Sequence, residues 1–177
     1  MTTPSADTAM AELLQAWPGA RRALFATFHI GGCQSCAYRD DETLAEVCAR
    51  NEIEVDEAVR CLVEAQERDA AMLLAPAELA EVVAKGALLL DLRTREEFEA
   101  VKITGSELLT QDLQQQIFAE KPEKPIVLVD HRGRDVLDRC AWFHGHGLPQ
   151  AKGLDGGIDR YAQEVDSSLP RYRLDLS

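Results

Sequence analysis

Lys124-Pro-Ile-Val-Leu-Val-Asp130-His-Arg-Gly-Arg-Asp135-Val136 reads as a buried strand that runs into a ligand-binding loop. Residues 126–129 form a continuous β-branched and aliphatic run after a proline, which suits a central parallel strand covered on both faces. In open α/β sheets, ligands gather outside the carboxyl ends of the strands. Here that end carries Asp130, His131, Arg132, Gly133, Arg134 and Asp135, just before a helical pattern over 136–144. A glycine-containing turn into a helix N-terminus can aim several backbone N–H groups at one anion, and the helix dipole adds to the attraction.

Three further segments stand in a telling order around this loop: Leu89-Leu-Asp-Leu-Arg93-Thr-Arg-Glu-Glu97-Phe98, then Ile103-Thr-Gly105-Ser106, then Leu154-Asp-Gly156-Gly157-Ile158-Asp-Arg-Tyr161. With the loop they resemble the rhodanese family over roughly residues 76–172. The resemblance implies a mostly parallel central sheet with helices on both faces, and a loop of the type Cys-x-x-Gly-x-Arg-Ser whose cysteine carries sulfane sulfur as a persulfide. It places Asp130 at that cysteine, Asp135 where an arginine is usual, Val136 at the serine, and Val101-Lys102 at the usual Gly-His. A carboxylate cannot act as the thiolate that attacks a sulfur donor. The expectation is therefore a domain that keeps the fold without the reaction, with no catalytic residue at the loop. The same resemblance implies that Asp91 and Arg93 hold a strand end and its loop together.

The 177 residues are best read as two domains, 1–72 all-helical and 73–177 α/β. A net charge of -12 argues against nucleic acid or an anionic membrane surface as partner. No apolar run approaches the length of about 18 residues that spans a bilayer, and the first residues lack the basic and apolar regions of a secretory signal. A cytoplasmic location is expected, where five cysteines are thiols, metal ligands or redox groups rather than a disulfide framework.

The first 72 residues carry four helical patterns: 9–17, 18–28, one beginning at Asp40-Asp41-Glu42, and one from Asp56 to about Arg68, with 69–75 as the connection. Between the second and third lies Gly31-Gly32-Cys33-Gln34-Ser35-Cys36. Cys33 and Cys36 at this spacing suit a redox dithiol. They equally suit one edge of a zinc or iron–sulfur site, completed by His29 and Cys48 or by a second Cys-x-x-Cys pair across a homodimer. The bland alternative is two incidental thiols at a turn. Phe28-His-Ile-Gly-Gly-Cys33, Cys36 and Glu42-Thr-Leu-Ala-Glu46-Val47 look like the small helical cysteine domain found beside hybrid-cluster and iron–sulfur repair proteins. That likeness implies thiol, sulfur or iron–sulfur chemistry. Cys48, Cys61 and Cys140 fall on apolar helix faces and read as core.

Three functions follow. The first is a noncatalytic rhodanese-like module, tethered to a thiol- or metal-binding helical domain, that binds a protein partner or a small anion. The second is a sulfurtransferase or redox thiol protein working through Cys33 and Cys36. The third, ranked last, is a hydrolase with Asp130 as nucleophile. His144 and His146 read as helix C-terminal caps, whereas His131 lies in the loop as either a solvated residue or a ligand contact.

Overall fold

The computed structural model describes residues 3–31 and 38–172 and falls into two compact units, Met1–Ala71 and Met72–Ser177. The first unit is helical: α1 (Met10–Ala16), α2 (Ala20–Phe28), α3 (Leu44–Arg50) and α4 (Val55–Ala71). Met10, Leu13, Leu24, Leu44, Val47 and Leu62 meet in its core, and the thiols of Cys48 and Cys61 are buried there as expected. Burial pushes the Cys48 thiol above its ordinary value.

Two boundaries differ from the sequence reading. Helix α3 does not start at the acidic run 40–42 but after Thr43, whose hydroxyl accepts from the Glu46 N–H at 3.2 Å while the Glu46 carboxylate accepts from the Thr43 N–H at 2.8 Å. This reciprocal cap satisfies two N–H groups that the run of carboxylates leaves unpaired. Glu42 is instead buried and ion-paired with Arg50, which holds its carboxyl below the usual range. Helix α4 runs on to Ala71, past the expected stop at Arg68, because Asp69 is buried on its inner face in an ion pair with Arg22. The expected connection 69–75 therefore contains the last turn of α4 and a short strand.

The second unit is a five-stranded, wholly parallel sheet in the order β1-β5-β4-β2-β3. Its strands are β1 (Leu73–Leu74), β2 (Leu88–Asp91), β3 (Glu107–Leu108), β4 (Ile126–Val129) and β5 (Ala151–Leu154). A 3-10 turn (Pro76–Glu78) leads into α5 (Leu79–Ala84), followed in the crossovers by α6 (Arg95–Ala100), α7 (Gln111–Glu120), α8 (Val136–Gly145) and the closing α9 (Gly157–Glu164). Successive residues of β4 serve opposite faces, as the pleat requires. Val127 and Val129 join Leu79 and Ile158 in one layer, while Ile126 and Leu128 join Ile117, Cys140 and Phe143 in the other. This is why β4 reads as an unbroken apolar run: all four residues are buried on both sides. The mixed α/β architecture with helices over a parallel sheet is the one expected.

Candidate functional site at the end of β4

The loop after β4 is held from below by the start of α9. Asp130 O accepts from the Ile158 N–H at 2.9 Å and His131 O from the Asp159 N–H at 3.1 Å. This close approach explains the Gly156-Gly157 pair: Gly157 has φ +61°, and a Cβ there would lie 2.5 Å from Asp130 O. Gly133, at φ +76°, turns the loop in the left-handed region that glycine tolerates, and a Cβ there would lie 2.7 Å from the backbone N of Gly156.

With its carbonyls tied to α9, the loop turns its N–H groups inward, and the Asp130 side chain fills the space they enclose. One carboxylate oxygen accepts from the Gly133 N–H. The other accepts from Asp135 at 2.8 Å and Val136 at 3.2 Å, the first N–H groups of α8. The result is an anion cradle at a helix N-terminus in which the anion is part of the chain. Burial pushes the Asp130 carboxyl above its ordinary value, and the three N–H bonds offset only part of that. Val136 faces the other way, into the core, where a Cβ on Gly153 of β5 would strike its methyl groups.

At the end of the neighbouring strand, Asp91 is fully buried and grips Arg93 in a fork, with Nε at 2.9 Å and Nη2 at 2.7 Å. Arg93 Nη2 also donates to Val101 O at 2.7 Å, and Nη1 donates to the Tyr172 hydroxyl at 2.8 Å. That hydroxyl donates in turn to Glu97 at 2.7 Å. Burial and the Glu97 bond raise the Tyr172 phenol to about 12. For Glu97 burial acts upward, but the bonds from Tyr172 and Thr94 outweigh it and the carboxyl ends below its ordinary value.

Between the two strand ends lies a cleft of about 350 Å³, with Arg93 and Glu97 on one side and Asp130, His131, Asp135 and Arg139 on the other. Of the loop residues singled out from sequence, Asp130, His131 and Asp135 line this cleft, and Arg132, Gly133 and Arg134 are not part of its wall. Asp130 is buried, His131 and Gly133 are half-buried, and Arg132, Arg134 and Asp135 are exposed. His131 stacks on the Tyr172 ring, with centroids 4.3 Å apart and planes 4° from parallel. His144 and His146 stay away from the cleft: His144 reaches Ala151 O at 2.8 Å, and His146 meets Trp142 O at 2.9 Å near the end of α8. Cys140 is buried in the core. Cys33 and Cys36 lie outside the described residues. Among the described residues no group of three or more His, Cys, Asp or Glu side chains could hold a metal ion, and no helix is long and apolar enough to cross a membrane.

Residues 75–164 match the profile of the rhodanese-like domain. The chain belongs to the rhodanese-like domain family. The family carries a link to sulfur chemistry, and the matched span runs from the 3-10 turn before α5 through α9 of the sheet unit. Reduced CoADR-RHD of Bacillus anthracis is similar over 66% of this chain, at 19% identity and a TM-score of 0.51, while this chain spans only 21% of that longer one. This likeness supports the rhodanese-like fold alone. The human single-domain sulfurtransferase TSTD1 is 25% identical over 52% of this chain and 96% of its own, with a TM-score of 0.45. A rhodanese-like domain protein from Staphylococcus aureus is 18% identical over 57% and 98%, with a TM-score of 0.45. A search of curated proteins gave no match.

Sequence reasoning missed three residues of the site: Arg139, which lines the cleft from α8, Glu97 and Tyr172. Glu97 lay in a quoted segment without a role, and Tyr172 lay beyond the last motif; their hydrogen bond joins positions 75 apart in sequence. The only signal for Tyr172 was a lone aromatic residue in the segment that follows α9.

Proposed function

We propose that this rhodanese-like domain is a noncatalytic binding module, tethered to a thiol- or metal-binding helical domain and serving sulfur or iron–sulfur metabolism. The observation that carries this reading is the Asp130 carboxylate seated on the N–H groups of Gly133, Asp135 and Val136. A sulfurtransferase needs a thiolate nucleophile at its loop. If Asp130 stands at that position, the loop has neither the sulfur nor an empty cradle for an anionic donor. Arg132 and Arg134 remain exposed, with no ion-pair partner among the described residues. They are available to a protein partner or a small anion at the rim rather than inside the loop.

The test is thiocyanate formation from thiosulfate and cyanide by the native chain and by Cys33→Ser/Cys36→Ser. The expected result is no turnover by either. Turnover that survives loss of both cysteines would overturn the reading, because the sheet unit would then be moving sulfur. Turnover that vanishes with them would move the chemistry to Cys33 and Cys36 and would equally refute a protein that only binds. Metal analysis of the same samples shows whether zinc or an iron–sulfur cluster accompanies the pair.

A further inference from the structure

The segment after α9 crosses back to the cleft and ends its described course at Tyr172, whose side chain is received by three residues at once. Arg93 commits Nε and Nη2 to Asp91 and to Val101 O, which leaves Nη1 as its outward donor. That donor meets the Tyr172 hydroxyl, which passes its own proton toward Glu97, and the phenol ring lies flat on His131. Donor, acceptor and stacking face together match a phenol: phenylalanine would satisfy only the stack, and an aliphatic residue none of the three.

The segment that delivers this ring is lightly attached. Among the described residues, 170–172 make no backbone–backbone hydrogen bond. Besides the hydroxyl bonds and the ring stack, their polar ties among the described residues are the Arg171–Asp159 ion pair at 2.8 Å and the approach of His131 Nε2 to Tyr172 O at 3.1 Å, and Tyr172 with Leu169 packs on the apolar layer of Val101, Val129 and Ile158. Beside them a second, open and largely apolar pocket of about 360 Å³ is lined by Pro170 and Tyr172 together with Glu96, Glu97 and Ala100 of α6 and the adjoining Val101. The lack of ladder bonds and an open pocket alongside are the marks of a segment that opens locally without unfolding its domain.

We propose that Arg93, Glu97 and His131 form a receptor for a phenolic side chain, filled in this chain by its own Tyr172, so that the segment ending there is a displaceable latch on the cleft. Lifting the latch frees the outward donor of Arg93, the Glu97 carboxylate and one face of His131, all of which line the cleft. A tyrosine presented by a partner fits the vacated place. The inference goes beyond the binding role proposed above and holds whatever ligand the cleft takes.

The test uses full-length Tyr172→Ala, titrated with N-acetyltyrosinamide and with N-acetylphenylalaninamide while the His131 ring and Arg93 Nε–H signals are followed by NMR. The expected result is binding of the tyrosine probe at least about tenfold tighter than the phenylalanine probe, the loss of two hydrogen bonds being ample for that ratio. The native chain should show no response at the same concentrations. Equal binding of both probes, no binding by the folded variant, or an equal response from the native chain would each overturn the proposal. Should the alanine variant not fold, Tyr172→Phe keeps the stack. The tyrosine probe must then displace the variant's ring at least about tenfold more readily than it displaces the native one, and failure to do so is equally fatal.

Discussion

Two neighbouring strands of the sheet each end in a buried aspartate, and the two acids are held in opposite ways. Asp91 closes β2 and is neutralised by a guanidinium, through bonds to Nε, Nη2 and the Arg93 backbone N–H. Asp130 follows β4 and is surrounded only by N–H dipoles, with no cation in its shell. A buried charge is tolerable when it is paired or fully hydrogen-bonded. The ion pair achieves this through Nε and Nη2, with Nη2 also held by Val101 O, so the pair acts as scaffold whatever Nη1 meets. The N–H shell is a general anion site, and what makes it specific here is that its occupant is covalently attached. The same residue type at the ends of adjacent strands is therefore held in two ways, one by a cation and one by backbone dipoles alone.

The sharpest way to break this comparison is to remove each acid in turn. Asp91→Ala strands the Arg93 guanidinium in the core, and loss of one partner of a buried pair costs about 3–5 kcal/mol. Denaturant unfolding of the full chain should show a loss of that order. Asp130→Ala leaves three N–H groups unsatisfied but also removes a carboxylate that burial penalises. Water can enter from the cleft, so the expected loss is smaller, about 1–3 kcal/mol. The two variants should also differ in rescue: phosphate should stabilise Asp130→Ala by occupying the emptied cradle and should leave Asp91→Ala unchanged. Equal losses and equal indifference to phosphate would show that the N–H shell is scaffold too.

The same pair sharpens with pH. The Asp130 carboxyl is raised in the folded state, so its contribution is full below the ordinary value of 3.8 and is lost as pH rises through the folded value. Asp130→Asn cannot titrate. Relative to it, the native chain should lose stability as pH rises above 3.8, as read from melting temperatures. A native chain that gains on Asp130→Asn as pH rises would mean that the N–H bonds outweigh burial.

How much of this was legible depends on how local each cause is. The strand 126–129 announced itself because burial on both faces admits only apolar residues there. The glycines at 133, 156 and 157 were legible as motif residues, although their reason, backbone packed on backbone, is visible only in three dimensions. Strand β1 was hidden in the expected connection because a two-residue edge strand has no period to read. The start of α3 was misplaced because acidic residues before a helix look like dipole partners, whereas Glu42 is turned inward by Arg50, eight residues on. Asp130 was placed in the loop by its position in sequence, but its seat on the N–H groups of Gly133, Asp135 and Val136 could not be read from residue type. Glu97 and Tyr172 were beyond reach, since their meeting depends on the path of the tail over the sheet unit.

The smallest expected effect tests whether that tail belongs with the scaffold or with the site. Tyr172→Phe keeps the stack on His131 and deletes both hydroxyl bonds, a loss of about 1 kcal/mol at neutral pH for a half-buried pair of bonds. Its pH profile is more informative than its size. The phenol is raised from 10.0 to about 12 in the folded state, so its contribution is full below pH 10 and fades as pH rises toward 12. Glu97 is lowered from 4.5, so its contribution is full above pH 4.5 and is lost as pH falls through its folded value. The stability difference between the native chain and Tyr172→Phe should therefore be level across the middle of the scale and shrink at both ends. Tyrosinate absorbance supplies the control. Tyr161 is also raised by burial, so the variant should lose one late-ionising tyrosine of the three in the chain and keep another. A difference that stays constant through both limbs would mean that the hydroxyl bonds are not formed.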